Sequence, residues 1–156
     1  MVSERSGFEL PLLLAGAFRV LIDELHAELA ERGHPHVRPL HGFALQAIGP
    51  DGTTVTELGR RLGVTKQAAT KTAERLEALG YVERRRSPDD GRVVLVARTD
   101  RGVEMLETSA EVFEVLRADL CGRLGDDRVA ALEDDLAHIV ADVGGVKLGD
   151  LPGWLR

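Results

Sequence analysis

The chain has 156 residues, 44% of them hydrophobic, a single cysteine and a formal net charge of −6. That length fits one domain or two intimately joined lobes with a sizeable core, and a lone Cys121 excludes an intrachain disulfide. No apolar run is long enough to span a bilayer, and the opening MVSERSGFE lacks the basic-then-apolar order of a signal peptide, so the cytoplasm is the expected compartment. The acidic total speaks against nucleic acid only until it is divided by region. Between Val55 and Arg101 there are eleven Lys or Arg against seven Asp or Glu, a local +4, which leaves nine against nineteen, or −10, elsewhere. A locally basic surface on an acidic body satisfies phosphate neutralisation, because only charges near the backbone release counterions.

In chain order, a first helix is expected to start between Glu9 and Pro11 and to run to about Arg32, with Gly33 as its stop. Leu12, Leu13, Leu14, Ala17, Phe18, Leu21, Ile22, Leu25 and Leu29 make an apolar stripe wider than one packed face needs. A subunit partner would cover it; burial within a compact monomer is the competing reading. The connector His34-Pro35-His36-Val37-Arg38-Pro39 bars helix continuation, and a short helix follows from about Leu40 to Ile48. Gly49-Pro50-Asp51-Gly52 closes that helix, and Thr53 to Val55 is a candidate very short strand.

The stretch from Thr54 to Gly102 carries the densest set of signals. Thr54 followed by Glu57 fits a capping box, with Thr56 a competing cap, and Val55, Leu58 and Leu62 form one stripe. Gly63 ends this helix, and Thr65 caps a second that runs to about Leu79 before Gly80. At about 100° per residue, Ala69, Thr72, Ala73, Leu76 and Leu79 share one side, opposite Gln67, Thr70, Lys71 and Glu74. The polar side has what major-groove readout requires: Gln67 for adenine, Lys66 and Lys71 for guanine or phosphate, and the Thr70 methyl for thymine. Tyr81 to Arg86 and Arg92 to Arg98 then read as two strands of a hairpin joined by Ser87-Pro88-Asp89-Asp90-Gly91, with Gly91 available for positive φ. Such a hairpin holds Arg84, Arg85, Arg86 and Arg92 beside the second helix, with Arg85 facing away from its two neighbours.

Beyond it, Thr99 caps a long helix to about Arg123 carrying Met105, Leu106, Ala110, Phe113, Leu116, Leu120 and Leu124. A last helix starts at Gly125-Asp126, with Val129, Leu132, Leu136, Ile139 or Val140, and Val143 at helical spacing until Gly144-Gly145. The tail from Val146 to Arg156 holds Leu148, Leu151, Trp154 and Leu155 and is too apolar to be left loose.

Several of these pieces occur together in a known family. Phe43-x-Leu45, Leu58-Gly59-x-x-Leu62-Gly63-Val64-Thr65, Leu76-Glu77-x-Leu79-Gly80-Tyr81-Val82-x-Arg84, Asp90-Gly91-Arg92 and Thr99-x-x-Gly102 resemble, in order and spacing, winged-helix regulators of the multiple-antibiotic-resistance (MarR) type over roughly Pro39 to Gly102. The resemblance implies a mainly α (α+β) fold: a winged helix-turn-helix with a small antiparallel hairpin wing and an all-helical dimerisation lobe. The lobes would be 37–102 for the DNA reader, 8–33 with 103–145 for the helical lobe, and 146–156 for the tail. It also implies a homodimeric, non-enzymatic transcriptional regulator, a repressor in the family's commoner mode, on a pseudo-palindromic operator.

Arg92 matches the family's wing arginine and would enter the minor groove, with Asp90 holding it through a charge-assisted bond. Thr65, Lys66, Gln67, Thr70, Lys71, Arg75, Arg84, Arg86, Ser87, Asp90 and Arg92 are the residues expected at double-stranded DNA. Two departures stand out. Gly91 replaces a second basic residue, removing one backbone contact at the wing tip, and Arg98 replaces an apolar residue, leaving the second wing strand poorly anchored. In the resembling family small anionic aromatics bind between the lobes, and Phe18, His26, His36, His41 and Phe43 come from segments able to line such a crevice. A protonated histidine would favour a carboxylate there.

A different reading starts from His26, His34, His36 and His41, four histidines close in sequence, three of which zinc or nickel would accept. It makes the chain a small metal-binding protein or metal-dependent enzyme. No HExxH or paired-cysteine motif accompanies them, and nothing else in the sequence asks for a cofactor. Cys121 sits on an apolar helix face, which favours an inert thiol over an oxidant sensor.

Overall fold

A computed structural model of the chain describes residues 6–142, 144 and 145. In order, the elements are α1 (Glu9–Glu31), α2 (Pro39–Ile48), α3 (Val55–Leu62), α4 (Lys66–Ala78), β1 (Val82–Arg86), β2 (Val94–Arg98), α5 (Asp100–Leu124) and α6 (Asp126–Asp142). The architecture is a winged helix-turn-helix flanked by long helices.

Local chemistry sets the boundaries. Threonine hydroxyls at the N-caps of α3, α4 and α5 accept the N–H of Glu57, Ala68 and Gly102, each satisfying an orphan helix donor. The Thr54 box forms only on that side, because the Glu57 carboxylate turns to Arg60 and Arg61 instead of back to the cap. Gly63 takes the left-handed conformation (φ 67°) that reverses the chain between α3 and α4. Behind this turn Gly59 and Ala69 pack closely, with a Cβ at Gly59 reaching within 3.4 Å of the Ala69 methyl carbon.

The hairpin is antiparallel, pairing Val82 with Arg98, Arg84 with Val96 and Arg86 with Val94. Thr53 adds a single bridge to Val96 where a short third strand was expected, since Val55 already belongs to α3. Arg92 and Val93 belong to the loop, and Gly91 does not use positive φ, because the turn is closed by Ser87 N–H to Val93 O and Val93 N–H to Asp90 O.

One core joins the second half of α1 to everything between α2 and α5, through Leu25, Leu29, Leu45, Ile48, Leu58, Leu76, Met105 and Val112. Val112 takes a buried place on α5 while Phe113, expected there, is 42% exposed. The first half of α1 is bare: Leu12 is 64% and Leu13 50% exposed, so the described monomer does not bury the whole stripe. Along α6 only Val129 is buried, and Ile139 is 61% exposed. Val143 and the apolar residues of the tail, Leu148, Leu151, Trp154 and Leu155, lie outside the described residues. Among the described residues no helix is long and apolar enough to cross a membrane.

Candidate nucleic-acid interface

The polar side of α4 is built by subtraction. Ala69, Thr72, Ala73 and Leu76 go into the core, which leaves Gln67, Lys71 and Glu74 exposed on the opposite side and Lys66 and Arg75 exposed at its flanks. Thr70, half-buried, donates its hydroxyl to Lys66 O at 2.9 Å, which leaves its methyl as the group free for an apolar contact. The ammonium groups of Lys66 and Lys71 and the Gln67 amide have no side-chain partner among the described residues, whereas the two arginines of α3 share the one Glu57 carboxylate. Glu57 accepts from Arg60 at 2.7 and 2.8 Å and from Arg61 at 2.9 Å, and those two guanidiniums hold its carboxyl down at about 2. Among the described residues, Lys66 and Lys71 therefore present free ammonium groups on α4.

The wing arginines divide by strand alternation. Arg84 bonds Glu77 at 3.1 Å and so ties the hairpin to the end of α4, while Arg85 turns the other way and donates to Asp51 O at 2.7 Å. Arg86 donates to Gly91 O at 3.1 Å, across the wing loop. At the tip, Ser87 Oγ accepts from Asp89 N–H and the Asp90 carboxylate accepts from the Arg92 main-chain N–H at 3.0 Å. Asp90 thus fixes the backbone at Arg92 and not its guanidinium, which stays exposed and without a side-chain partner among the described residues. Thr65 sits at the start of α4, where unpaired N–H groups and the helix dipole favour an anion.

The histidines do not assemble a ligand set: among the described residues no group of three His, Cys, Asp or Glu could hold a metal ion. His34 is buried with Nδ1 3.0 Å from the Tyr81 hydroxyl, and burial, helped by Arg101, pushes its pKa down. His41 accepts the Arg38 N–H on Nδ1 at 3.1 Å and caps α2; His36 is exposed. A pocket of about 180 Å³ lies between α1, α2 and α5, lined chiefly by apolar groups with His26, Arg38, Gln46 and Ser109 as its polar points. His26 and Phe43 line it; Phe18, His36 and His41 do not. Burial lowers the pKa of His26, opposed by Asp23, so the permanent cation at this pocket is Arg38, a residue the sequence did not single out. Cys121 is half-buried, and burial together with Asp126 raises its thiol pKa, the opposite of an activated thiol.

Residues 38–93 match the model of the MarR family. A MarR mutant from E. coli complexed with operator DNA has the same fold at TM-score 0.66 and 28% identity, over 85% of this chain and 94% of that one. Over residues 38–93 the chain is similar to the MarR family, and its fold resembles that of MarR. It is also 28% identical to YdgJ of Bacillus subtilis, an uncharacterized HTH-type transcriptional regulator, over 62% of this chain and 59% of that protein, so it spans somewhat less than two thirds of that relative. Streptococcus pneumoniae FabT in complex with DNA shares the fold at TM-score 0.73 and 19% identity, covering 89% of this chain and 98% of that one.

Of the two departures from the MarR pattern, Arg98 has an outcome opposite to the expected loose strand end. Its Nε donates to Leu45 O at 2.8 Å and Nη2 to Gln46 O at 3.2 Å, so a charged fork grips the C-terminal carbonyls of α2. Arg61 adds Nη1 to Ala47 O at 2.8 Å. Nothing in the sequence pattern of a MarR-type reader announces these bonds, because they join residues far apart in the chain.

Proposed function

We propose that this chain is a MarR-family transcriptional regulator that binds double-stranded DNA as a homodimer on a pseudo-palindromic operator, acts as a repressor, and is released by a small ligand. The observation that carries the reading is the exposed polar face of α4, with the ammonium groups of Lys66 and Lys71 free of side-chain partners among the described residues, beside a hairpin whose tip presents Arg92. Lys66, Gln67, Thr70 and Lys71 read the major groove. Thr65, Arg75, Arg84, Arg86 and Ser87 fix the backbone, and Arg92, its main chain held by Asp90, enters the minor groove. The relatives found with DNA support this reading: a MarR mutant is complexed with operator DNA.

Dimerisation is supported by the bare first half of α1 and the apolar positions of α6, which leave Leu12, Leu13 and Ile139 exposed. Two readers related by a twofold axis would meet major grooves about 34 Å apart. The domain division, a reader over 37–102 and a helical lobe from 8–33 and 103–145, is part of the same proposal. Release by a ligand is supported by the 180 Å³ pocket between α1, α2 and α5, a volume suited to one aromatic ring with Arg38 meeting a carboxylate. For release the ligand must bind one spacing of the readers better than the other.

Selection of bound sequences from a random DNA pool, followed by gel-shift titration of the winning site, tests the reading. The expected result is a two-half-site motif and salt-sensitive binding that the pair Lys71→Ala and Arg92→Ala weakens. Loss of two contacts in each protomer, four per dimer, should also lower the slope of log affinity against log salt by about 2 to 4. A pool that yields no motif, or a double variant that binds like the parent, would sink it.

A further inference from the structure

α2 has two faces with different business. Gly42, Phe43 and Gln46 line the pocket, while the carbonyls of Leu45, Gln46 and Ala47 at its C-terminal end receive the guanidiniums of Arg98 and Arg61. Gln46 belongs to both sets, since it lines the pocket and its own carbonyl holds Arg98 Nη2. The end of a helix concentrates partial negative charge on carbonyls that lack an intrahelical partner, so a planar, permanently charged fork is suited to grip it in one orientation.

Arg98 sits at the root of the wing: it pairs with Val82 at the base of the hairpin and is followed directly by the Thr99 cap of α5. From that position a shift of α2 is handed to β2 through two charge-assisted bonds. The bridge from Thr53 to Val96 is a second attachment, but it ends on the turn after α2 and not on α2 itself.

We propose that Arg98 is a positioning residue that clamps the wing to the pocket-lining helix, so that displacement of α2 at the pocket changes how the wing presents Arg92. The proposal rests on the reading of the wing as a DNA-contacting element for its consequence, but not for its geometry. Arg98 is half-buried, and burial lowers its pKa from the arginine norm.

The experiment compares the full-length protein with Arg98→Met, which keeps chain length and packing, and Arg98→Lys, which keeps charge but not the fork. Hydrogen exchange is followed by mass spectrometry in the absence of DNA. The expected result is exchange about tenfold faster at Val94–Ala97 and at the C-terminal turn of α2 in Arg98→Met. Arg98→Lys should recover part of the protection, and α1 and the second half of α5 should not change. A helix that merely lost stability would exchange faster everywhere, and that outcome, like unchanged wing exchange, overturns the clamp.

The coupling is read in a second arm. Ser109→Leu, which intrudes on the pocket from α5, should alter wing exchange in the parent and leave it unaltered in the Arg98→Met background. Equal effects in both backgrounds refute transmission through Arg98. On the selected DNA site, Arg98→Met should remove most of the penalty of Arg92→Ala, because a wing that is no longer held gains little from its tip. Absence of any selected site removes the DNA reading, while the exchange arms still decide the clamp.

Discussion

Gly102→Ala tests the joint between the reader and the long helix α5. In most helix interiors this change stabilises by about 1 kcal/mol, since alanine gives up less backbone entropy on folding. Here a Cβ would collide with the Tyr81 carbonyl oxygen, which is backbone and is already fixed by accepting the Thr99 N–H at 3.1 Å. Overpacking costs about 1 to 3 kcal/mol, and retreat of the carbonyl would also sacrifice a hydrogen bond of about 1 kcal/mol. Against the propensity gain, the net expectation is destabilisation by about 1 to 3 kcal/mol. For a chain of this size that lowers Tm by roughly 3 to 10 °C. Gly122→Ala, on the same helix with nothing within 4 Å of the added carbon among the described residues, supplies the contrast and should raise Tm by a few degrees. Urea melts of both variants and the parent at one protein concentration measure the difference. A Gly102→Ala protein as stable as Gly122→Ala would refute the argument that a close backbone approach requires glycine at this position.

Two more predictions follow from burial. The pKa of His41 is pushed down to about 4 by burial, with Arg38, Arg75 and His26 adding repulsion, so the folded state binds its proton less readily than the unfolded chain. Its contribution is complete above the unfolded value near 6.5 and is lost as pH falls from there towards 4, up to roughly 3 kcal/mol. His41→Gln keeps an acceptor for the Arg38 N–H without the titration, and should flatten urea stability over that window; a variant that still follows the parent's pH profile would show that another group carries it. Leu13→Glu combined with Ile139→Glu places charge on two exposed apolar helix positions. Sedimentation should report a monomer with an unchanged far-ultraviolet spectrum, and an unshifted dimer would place the interface elsewhere.

Local signals were legible in the sequence because they act over a few residues. The hydroxyls of Thr54, Thr65 and Thr99 cap the helices they precede, and the 3.6-residue period of α4 sorts Ala69, Thr72, Ala73 and Leu76 from Gln67 and Lys71. A phase error of one residue, about 100°, explains the exchange of Val112 for Phe113, since both are apolar neighbours and only the packing of α1 on α5 decides between them. His41 looked like a ligand because a histidine three residues after Arg38 does not match the Ser/Thr and Glu/Gln pattern of a helix cap. The guanidinium bonds to carbonyls from Arg61, Arg85 and Arg98 span 14, 34 and 53 residues, and no periodicity encodes them. Arg98, read in sequence as a weak strand end, is instead a point of attachment for that reason.

Thr99 closes the wing from outside. Its hydroxyl donates to Gly80 O at 2.6 Å and accepts the Gly102 N–H, and its own N–H reaches Tyr81 O, so the chain entering the hairpin and the chain leaving it meet at one knot. A hairpin whose two ends are already joined is a removable part. Lengthening the loop between Ser87 and Val93 costs only the slow logarithmic growth of loop-closure entropy, about 0.6 kcal/mol per doubling. The reach of the tip is therefore adjustable by insertion while the helices on either side keep their places.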